Sequence, residues 1–339
     1  MRPVKRSLLL FSICCLAVSL SAQKLFPDWP AANFDSLAGT KNVKRYERIT
    51  RNFQKEESKG ETSVSYYRFD RHGRLLEDSV YNSRKLYKYD KEGRLTDCKV
   101  YSLFYGEVHL DEEDSYKMFY NKKGRLLRQV FYCGKTIEYS YNKKGRVIRE
   151  AFYQAEHCDS TRKLEEYTIF YYHRKKLLKK RMNYGGDSSL LGYTILNYNP
   201  DGKVREEIDI TPDGEMGGQK YYSYDEKGNL VKLSRLGSDT VIYFIKYDFL
   251  NRIIETKTTD ILRRWITTQS YSYDNFGNMV RWTKVNQSGG NVSYTQTTEF
   301  FYSNGLLTGY TSKDSHNNSS EVKFNFTMFP TSSGRKKGS

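Results

Sequence analysis

"NYNPDGKVRE", residues 197–206, is the clearest copy of a turn that recurs along the whole chain, and its chemistry decides the fold class. Asn199 offers a side-chain acceptor to the turn backbone and Pro200 presets the next dihedral. Asp201 sits in a tolerant slot, and Gly202 takes the left-handed conformation that closes a bulged hairpin. Tyr198 precedes the turn, and the basic Lys203 and apolar Val204 follow it.

The same order of residue types returns in Phe69-Asp70-Arg71-His72-Gly73-Arg74-Leu75, in Tyr89 to Leu95 around Gly93, and in Tyr120 to Leu126 around Gly124. Further copies close on Gly145, Gly202, Gly228 and Gly277, while Asn251 stands in the glycine slot of Tyr247 to Ile253. Asparagine is the side chain that best tolerates that backbone, so the substitution supports the turn. Tyr172 to Leu177 lacks the glycine, and Tyr302-Ser-Asn-Gly305-Leu306 is shortened. Ten copies define an array of β-hairpins.

The flanks agree with this. In a bulged hairpin, Tyr89 should face Leu95 and Tyr141 should face Val147 across the strands, with Asp90 near Arg94 and Asp248 near Arg252. Tyrosines two residues upstream, Tyr87, Tyr139, Tyr222 and Tyr271, fall on the same face as the pre-turn aromatics. One face then carries an aromatic row and the other a mixture of charged and apolar side chains.

The pre-turn aromatics lie at 69, 89, 120, 141, 172, 198, 224, 247, 273 and 302, and the first spacings of 20 and 31, then 21 and 31, group hairpins in pairs. About twenty antiparallel strands follow. The expected architecture is a spiralling or open sheet of hairpin repeats, with a five-bladed β-propeller as the alternative. Closure separates the two, because a propeller must bring the start near residue 60 beside the end near residue 310. Residues 106–114 and 154–163 are charged and read as surface loops, and Asp35 to Arg51 holds the only candidate short helix.

At the N-terminus, Arg2, Lys5 and Arg6 precede an apolar run from Leu8 to Leu20 and then Ser21 and Ala22, the pattern of a cleaved secretory signal peptide over residues 1–22. Residues 23–63 read as an N-terminal segment, 64–310 as the repeat domain and 311–339 as a polar, basic tail. The formal charge of +16 becomes +13 without the leader's three cations. That excess suits acidic partners or a solvated basic surface. Export argues against a nucleic-acid target and places the mature chain in a secreted, periplasmic or cell-surface setting. Three cysteines remain, Cys98, Cys133 and Cys158, an odd number that leaves at least one thiol unpaired within the chain.

The pattern Tyr-x-Tyr-Asp-x-x-Gly-Arg-Leu, as in Tyr87 to Leu95 and nearly so in Tyr139 to Val147, resembles the YD repeat of the RHS family over roughly residues 64–310. That family includes bacterial Rhs and Tc-toxin shells and animal teneurins. The resemblance implies a spiral β-shell and a role in cell-surface recognition, carbohydrate binding or toxin encapsulation. No Asp-Pro dipeptide of the kind that ends a full Rhs shell occurs here, and the residues after 310 offer no toxin domain.

For enzymatic chemistry, His72, His109, His157, His173 and His316 show no partner motif, and no phosphate loop, zinc motif or nucleophile elbow appears. No cofactor and no metal are expected. A binding or adhesion protein of the envelope, taking a glycan or a protein partner, is the leading expectation. Its contact candidates are Trp265, Trp282, Tyr87, Tyr139, Tyr222 and Tyr271, because aromatic faces stack on sugar rings. A structural or delivery-shell component of a toxin-type system is the second reading. A hydrolase with two carboxylates meeting across a groove is the third.

Overall fold

The structure is a computed structural model and describes residues 43–53, 61–80, 82–104, 107–154, 162–173, 177–237 and 240–328. The leader at 1–22, His157 and Cys158 lie outside these residues. The described chain forms β1 (Val43–Phe53), β2 (Glu61–Phe69), β3 (Leu75–Val80), β4 (Ser83–Tyr89), β5 (Leu95–Phe104), β6 (Glu107–Tyr120), β7 (Leu126–Phe131), β8 (Thr136–Tyr141), β9 (Val147–Gln154), β10 (Lys163–Tyr172) and β11 (Leu178–Gly185). It continues through β12 (Leu190–Tyr198), β13 (Val204–Ile210), β14 (Met216–Tyr224), β15 (Leu230–Leu236), β16 (Val241–Tyr247), β17 (Ile253–Asp260), β18 (Trp265–Tyr273), β19 (Met279–Ser288), β20 (Asn291–Ser303), β21 (Leu306–Asp314) and β22 (Ser319–Met328).

Each strand pairs antiparallel with the next, and β1 also pairs with β22 over Val43 to Phe53 against Met328 to Ser319. The result is a closed 22-stranded barrel. This corrects both expected architectures. The sheet is neither an open spiral nor a five-bladed propeller, because one continuous ladder runs around the ring and the first and last described strands supply its last pair. The all-β class and the hairpins stand.

Three local expectations change with it. Asp35 to Arg51 is not a helix where it is described, since Val43–Phe53 is strand β1. The charged stretch after Gly106 is strand β6 rather than a loop, and its bulge seats Ser115, whose hydroxyl bonds both backbone groups of Val100. Strands β21 and β22 carry the sheet to Met328, beyond the repeat region ending near 310 and into the residues read as a polar tail. The alternation Val322, Phe324, Phe326 was the signal for β22.

The turns form as their residues dictate. Gly93 N–H donates to the Asp90 carbonyl at 3.0 Å, Asp90 N–H to the Arg94 carbonyl at 2.9 Å, and Tyr89 faces Leu95. Asn251 takes φ of 60°, the left-handed value that glycine supplies in the other copies. A register shift accompanies these turns, as between Lys88 and Tyr89, so each hairpin carries a bulge beside its turn. The pre-turn aromatic and its neighbour two residues upstream share the more buried face, called here the tyrosine face. An apolar cluster lies around the closure, where Val43, Phe69, Tyr271, Trp282, Phe300, Leu307, Tyr310, Val322 and Phe324 pack together.

Candidate functional site

All the tyrosine-motif turns lie on one rim of the barrel, because every second connection of an antiparallel ring falls at the same end. Their first residue organises each turn. The Asp90 carboxylate accepts the backbone N–H of Arg94 at 2.8 Å and its Nε at 2.6 Å, and Asp70 with Arg74 and Asp248 with Arg252 repeat the arrangement. Burial raises the Asp70 carboxyl, but hydrogen bonds from Arg74 and His72 outweigh it and hold the group below the ordinary carboxylate value.

Successive repeats are tied by the tyrosines themselves. Tyr89 donates to the carbonyl of Leu75 at 2.8 Å, Tyr120 to Leu95 at 2.8 Å, Tyr141 to Leu126 at 2.6 Å and Tyr172 to Val147 at 2.7 Å. Tyr198, Tyr224, Tyr247, Tyr273 and Tyr302 continue the series onto Leu178, Val204, Leu230, Ile253 and Met279. Each hydroxyl thus caps the residue that follows the previous turn, beside the bulge that interrupts the ladder there. Phe69, which has no hydroxyl, falls in the hairpin preceded by the β22–β1 pair, where no such turn exists.

The basic residue of each turn reinforces the rung. Arg74 lies over the Tyr89 ring at 5.0 Å, Arg94 over Tyr120 at 4.9 Å, Arg146 over Tyr172 at 4.6 Å and Arg252 over Tyr273 at 4.5 Å. Where that slot holds Leu177 or Asn229 instead, an open groove forms beside the next tyrosine. One of about 870 Å³ includes Leu177, Tyr198 and His173, and one of about 840 Å³ includes Tyr247, Asp225 and Asn251.

These contacts decide the fate of the predicted contact residues. Tyr139, Tyr271 and Trp282 are buried, and the Trp282 indole donates to Gln269. Tyr87 and Tyr222 are half-buried, with hydroxyls donated to Asp78 at 2.6 Å and Glu207 at 2.9 Å. Burial and these carboxylates push both phenols well above their ordinary value. Only Trp265 is exposed, at 37%, and it stands on the opposite rim with its Nε1 on Thr267. The structure does not bring the six together. Of the two tryptophans read as the exposed anchors, Trp265 reaches solvent and Trp282 does not, and the four tyrosines lie on the half-buried or buried face of the sheet.

Residues outside that set reach solvent instead. The two tolerant positions of the turns project from the rim as Arg71 and His72, Lys91 and Glu92, Lys122 and Lys123, Lys143 and Lys144. Farther round, the same slots hold Phe249 and Leu250, 81% and 58% exposed, and Phe276, 90% exposed. Tolerance in the turn was legible in the sequence. That these slots share one rim became visible only in the structure.

Among the described residues no group of three or more His, Cys, Asp or Glu side chains could hold a metal ion, and no helix is long and apolar enough to cross a membrane. Cys98 is buried and free, and Cys133 is free and half-buried. Whichever wall faces outward is charged. Arg68, Glu77, Arg84, Lys246 and Glu255 lie on one face, and Asp78, Glu207 and Lys220 on the other. The face that carries Arg68 and Lys246 also exposes Phe119, Leu127, Ile148, Phe244 and Phe301, so charged and apolar side chains are interspersed on it.

No family model and no curated protein match the chain. Among solved structures, it is similar to the TcdB2-TccC3-TEV structure at 13% identity, with 80% of this chain and 19% of that chain covered and a TM-score of 0.32. A Photorhabdus luminescens Tc holotoxin pore structure gives 13% identity, 81% and 18% coverage, and a TM-score of 0.31. A porin-like protein from Bacteroides uniformis gives 9% identity, 84% and 98% coverage, and a TM-score of 0.32. The chain spans about a fifth of the length of the Tc toxin chains it matches. These likenesses show no family.

Proposed function

We propose that the protein is an exported, non-enzymatic barrel that binds a partner at the cell envelope, with its wall as scaffold and its turn rim as contact surface. One observation carries this reading: the wall tyrosines spend their hydroxyls and ring faces on neighbouring repeats, whereas the rim slots that the turn leaves free hold exposed cations and aromatics. Export rests on the leader pattern at residues 1–22. Asp78 and Glu207 each accept a tyrosine hydroxyl within the wall, a structural use that fits the scaffold reading. A sheet closed on itself bounds an interior, which supports a shell component as the second reading.

The test immobilises the mature chain and challenges it with envelope fractions and a glycan array, beside a variant whose rim-turn tips are changed to serine. Retention by the natural chain and loss by the variant are expected. Blank results for the natural chain on both would end the proposal.

A further inference from the structure

The rim is not uniform, and its two arcs are chemically complementary to one kind of surface. In the turns at Asn121–Arg125 and Asn142–Arg146, the slot that holds Asp70, Asp90, Asp225, Asp248 and Asp274 in other copies holds Asn, as it does at Asn199. The turn loses nothing by this, since Asn121 Oδ1 accepts the N–H groups of Lys123 at 2.9 Å and Arg125 at 3.1 Å, and Asn142 Oδ1 does the same for Lys144 and Arg146. What disappears is negative charge. Two adjacent turns therefore present Lys122, Lys123, Lys143 and Lys144 to solvent, with Arg125 and Arg146 laid over tyrosine rings beneath them and no carboxylate in either turn.

Neighbouring turns are two strand spacings apart, about 10 Å, which is close to the screening length of about 8 Å at physiological salt. Their fields therefore add. The two preceding turns add Arg71 and Lys91 but also carry Asp70, Asp90 and the exposed Glu92, so the uncompensated charge is confined to the two Asn turns.

The other arc carries Phe249, Leu250 and Phe276 in slots that any polar residue would satisfy structurally. Three large apolar side chains standing in water on turn tips call for a partner.

We infer that this rim docks on an anionic lipid surface, its cations against headgroup phosphates and its Phe-Leu tips in the acyl boundary. The inference rests on the envelope-binding reading and names its partner. An acidic polysaccharide would use the cations but leave the apolar tips unexplained, and an apolar protein groove would leave the uncompensated cations unexplained. A headgroup layer accounts for both arcs at once.

The experiment is flotation of the mature chain with vesicles of phosphatidylglycerol and phosphatidylcholine, against phosphatidylcholine alone. Binding only to the anionic vesicles, falling as salt rises, is expected. Changing Lys122, Lys123, Lys143 and Lys144 to Glu should lower partitioning at least tenfold. Changing Phe249, Leu250 and Phe276 to Ser should weaken binding severalfold and leave its salt dependence intact. Ile261→Ser with Leu262→Ser, on the opposite rim, should leave binding unchanged. Thermal unfolding of each variant shows that it is folded, which exposed turn positions favour. Equal binding to neutral vesicles, no vesicle binding, retention by the four-Glu variant, or loss by the opposite-rim variant would overturn the inference. Capture of acidic polysaccharide without vesicle binding would also overturn it, yet leave envelope binding standing.

Discussion

The hydroxyl of Tyr120 donates a 2.8 Å hydrogen bond to the carbonyl of Leu95, the residue that follows the preceding turn. The bond is a repeat-to-repeat clasp and recurs with every later pre-turn tyrosine. Tyr120→Phe deletes the donor and leaves a half-buried carbonyl without it, so a loss of about 1–3 kcal/mol is expected in chemical denaturation. The reverse change at the first slot, Phe69→Tyr, should also destabilise. Phe69 is buried in the closure cluster, and an added hydroxyl there faces no turn carbonyl. Stabilisation by Phe69→Tyr would show that the clasp is not what selects the residue.

Asn142 is the natural place to add a missing charge. Arg146 lies over the Tyr172 ring, but its Nε and Nη1 are buried and hydrogen-bond to no described residue. Asn142→Asp should give Arg146 the Nε contact that Arg94 makes with Asp90 at 2.6 Å. A gain of up to about 1 kcal/mol near neutral pH is expected, discounted for partial exposure. The gain should disappear on acidification, when the new carboxylate is protonated. The same variant should bind anionic vesicles less tightly, so stability and docking move in opposite directions.

Hairpins, turn geometry and even the facing of Tyr89 with Leu95 were legible in the sequence, because they depend on residues a few positions apart. Closure was not. It depends on β1 and β22, the one adjacent pair of described strands that no turn connects, so no turn motif in the sequence announces their pairing. The repeat that revealed the other strands thus concealed these two. The aromatic row falls on one face, as the alternation predicts, but which of its members are buried depends on packing that the alternation does not encode. Burial of Tyr139, Tyr271 and Trp282 comes from neighbouring strands whose order a turn motif does not specify.

Both ends of the pH scale should loosen the barrel. Burial pushes Tyr198 and Tyr302 up to about 12. A raised phenol favours the protonated form in the fold, so its contribution is complete below the ordinary value near 10 and is lost as pH rises through about 12. Burial raises the Glu77 carboxyl, but bonds from Arg68 and Arg84 hold it below its ordinary value. Its contribution is present above that ordinary value and lost as pH falls through the lowered one. Absorbance titration of tyrosinate should show a large fraction of the tyrosines ionising only with unfolding. Smooth ionisation near pH 10 would contradict the clasps.

Two free cysteines provide a probe of the wall. Cys98 is 2% exposed, and burial pushes its thiol up, both of which slow attack on disulfide reagents. In a Cys158→Ser background, Cys133 should react in the native protein and Cys98 only in denaturant. Fast reaction at both positions would mean that the β4–β5 wall opens.

Val43 faces Met328, so the described chain enters and leaves the ring side by side at the turn rim. This permits a circular permutant in which Ser339 is joined to Gln23 and new ends are cut between Lys143 and Lys144. Every residue from 23 to 339 is kept, and the two described strand ends to be connected lie one strand spacing apart, about 5 Å. A closed ring keeps all its ladders after such a cut, apart from one exposed turn. An open sheet would have distant ends, and joining them would strain or misfold it. The permutant should therefore unfold within a few degrees of the natural chain and keep the protection of Cys98. Failure to fold, with a second permutant cut between Phe249 and Leu250 failing as well, would mean that β1 and β22 do not close the barrel.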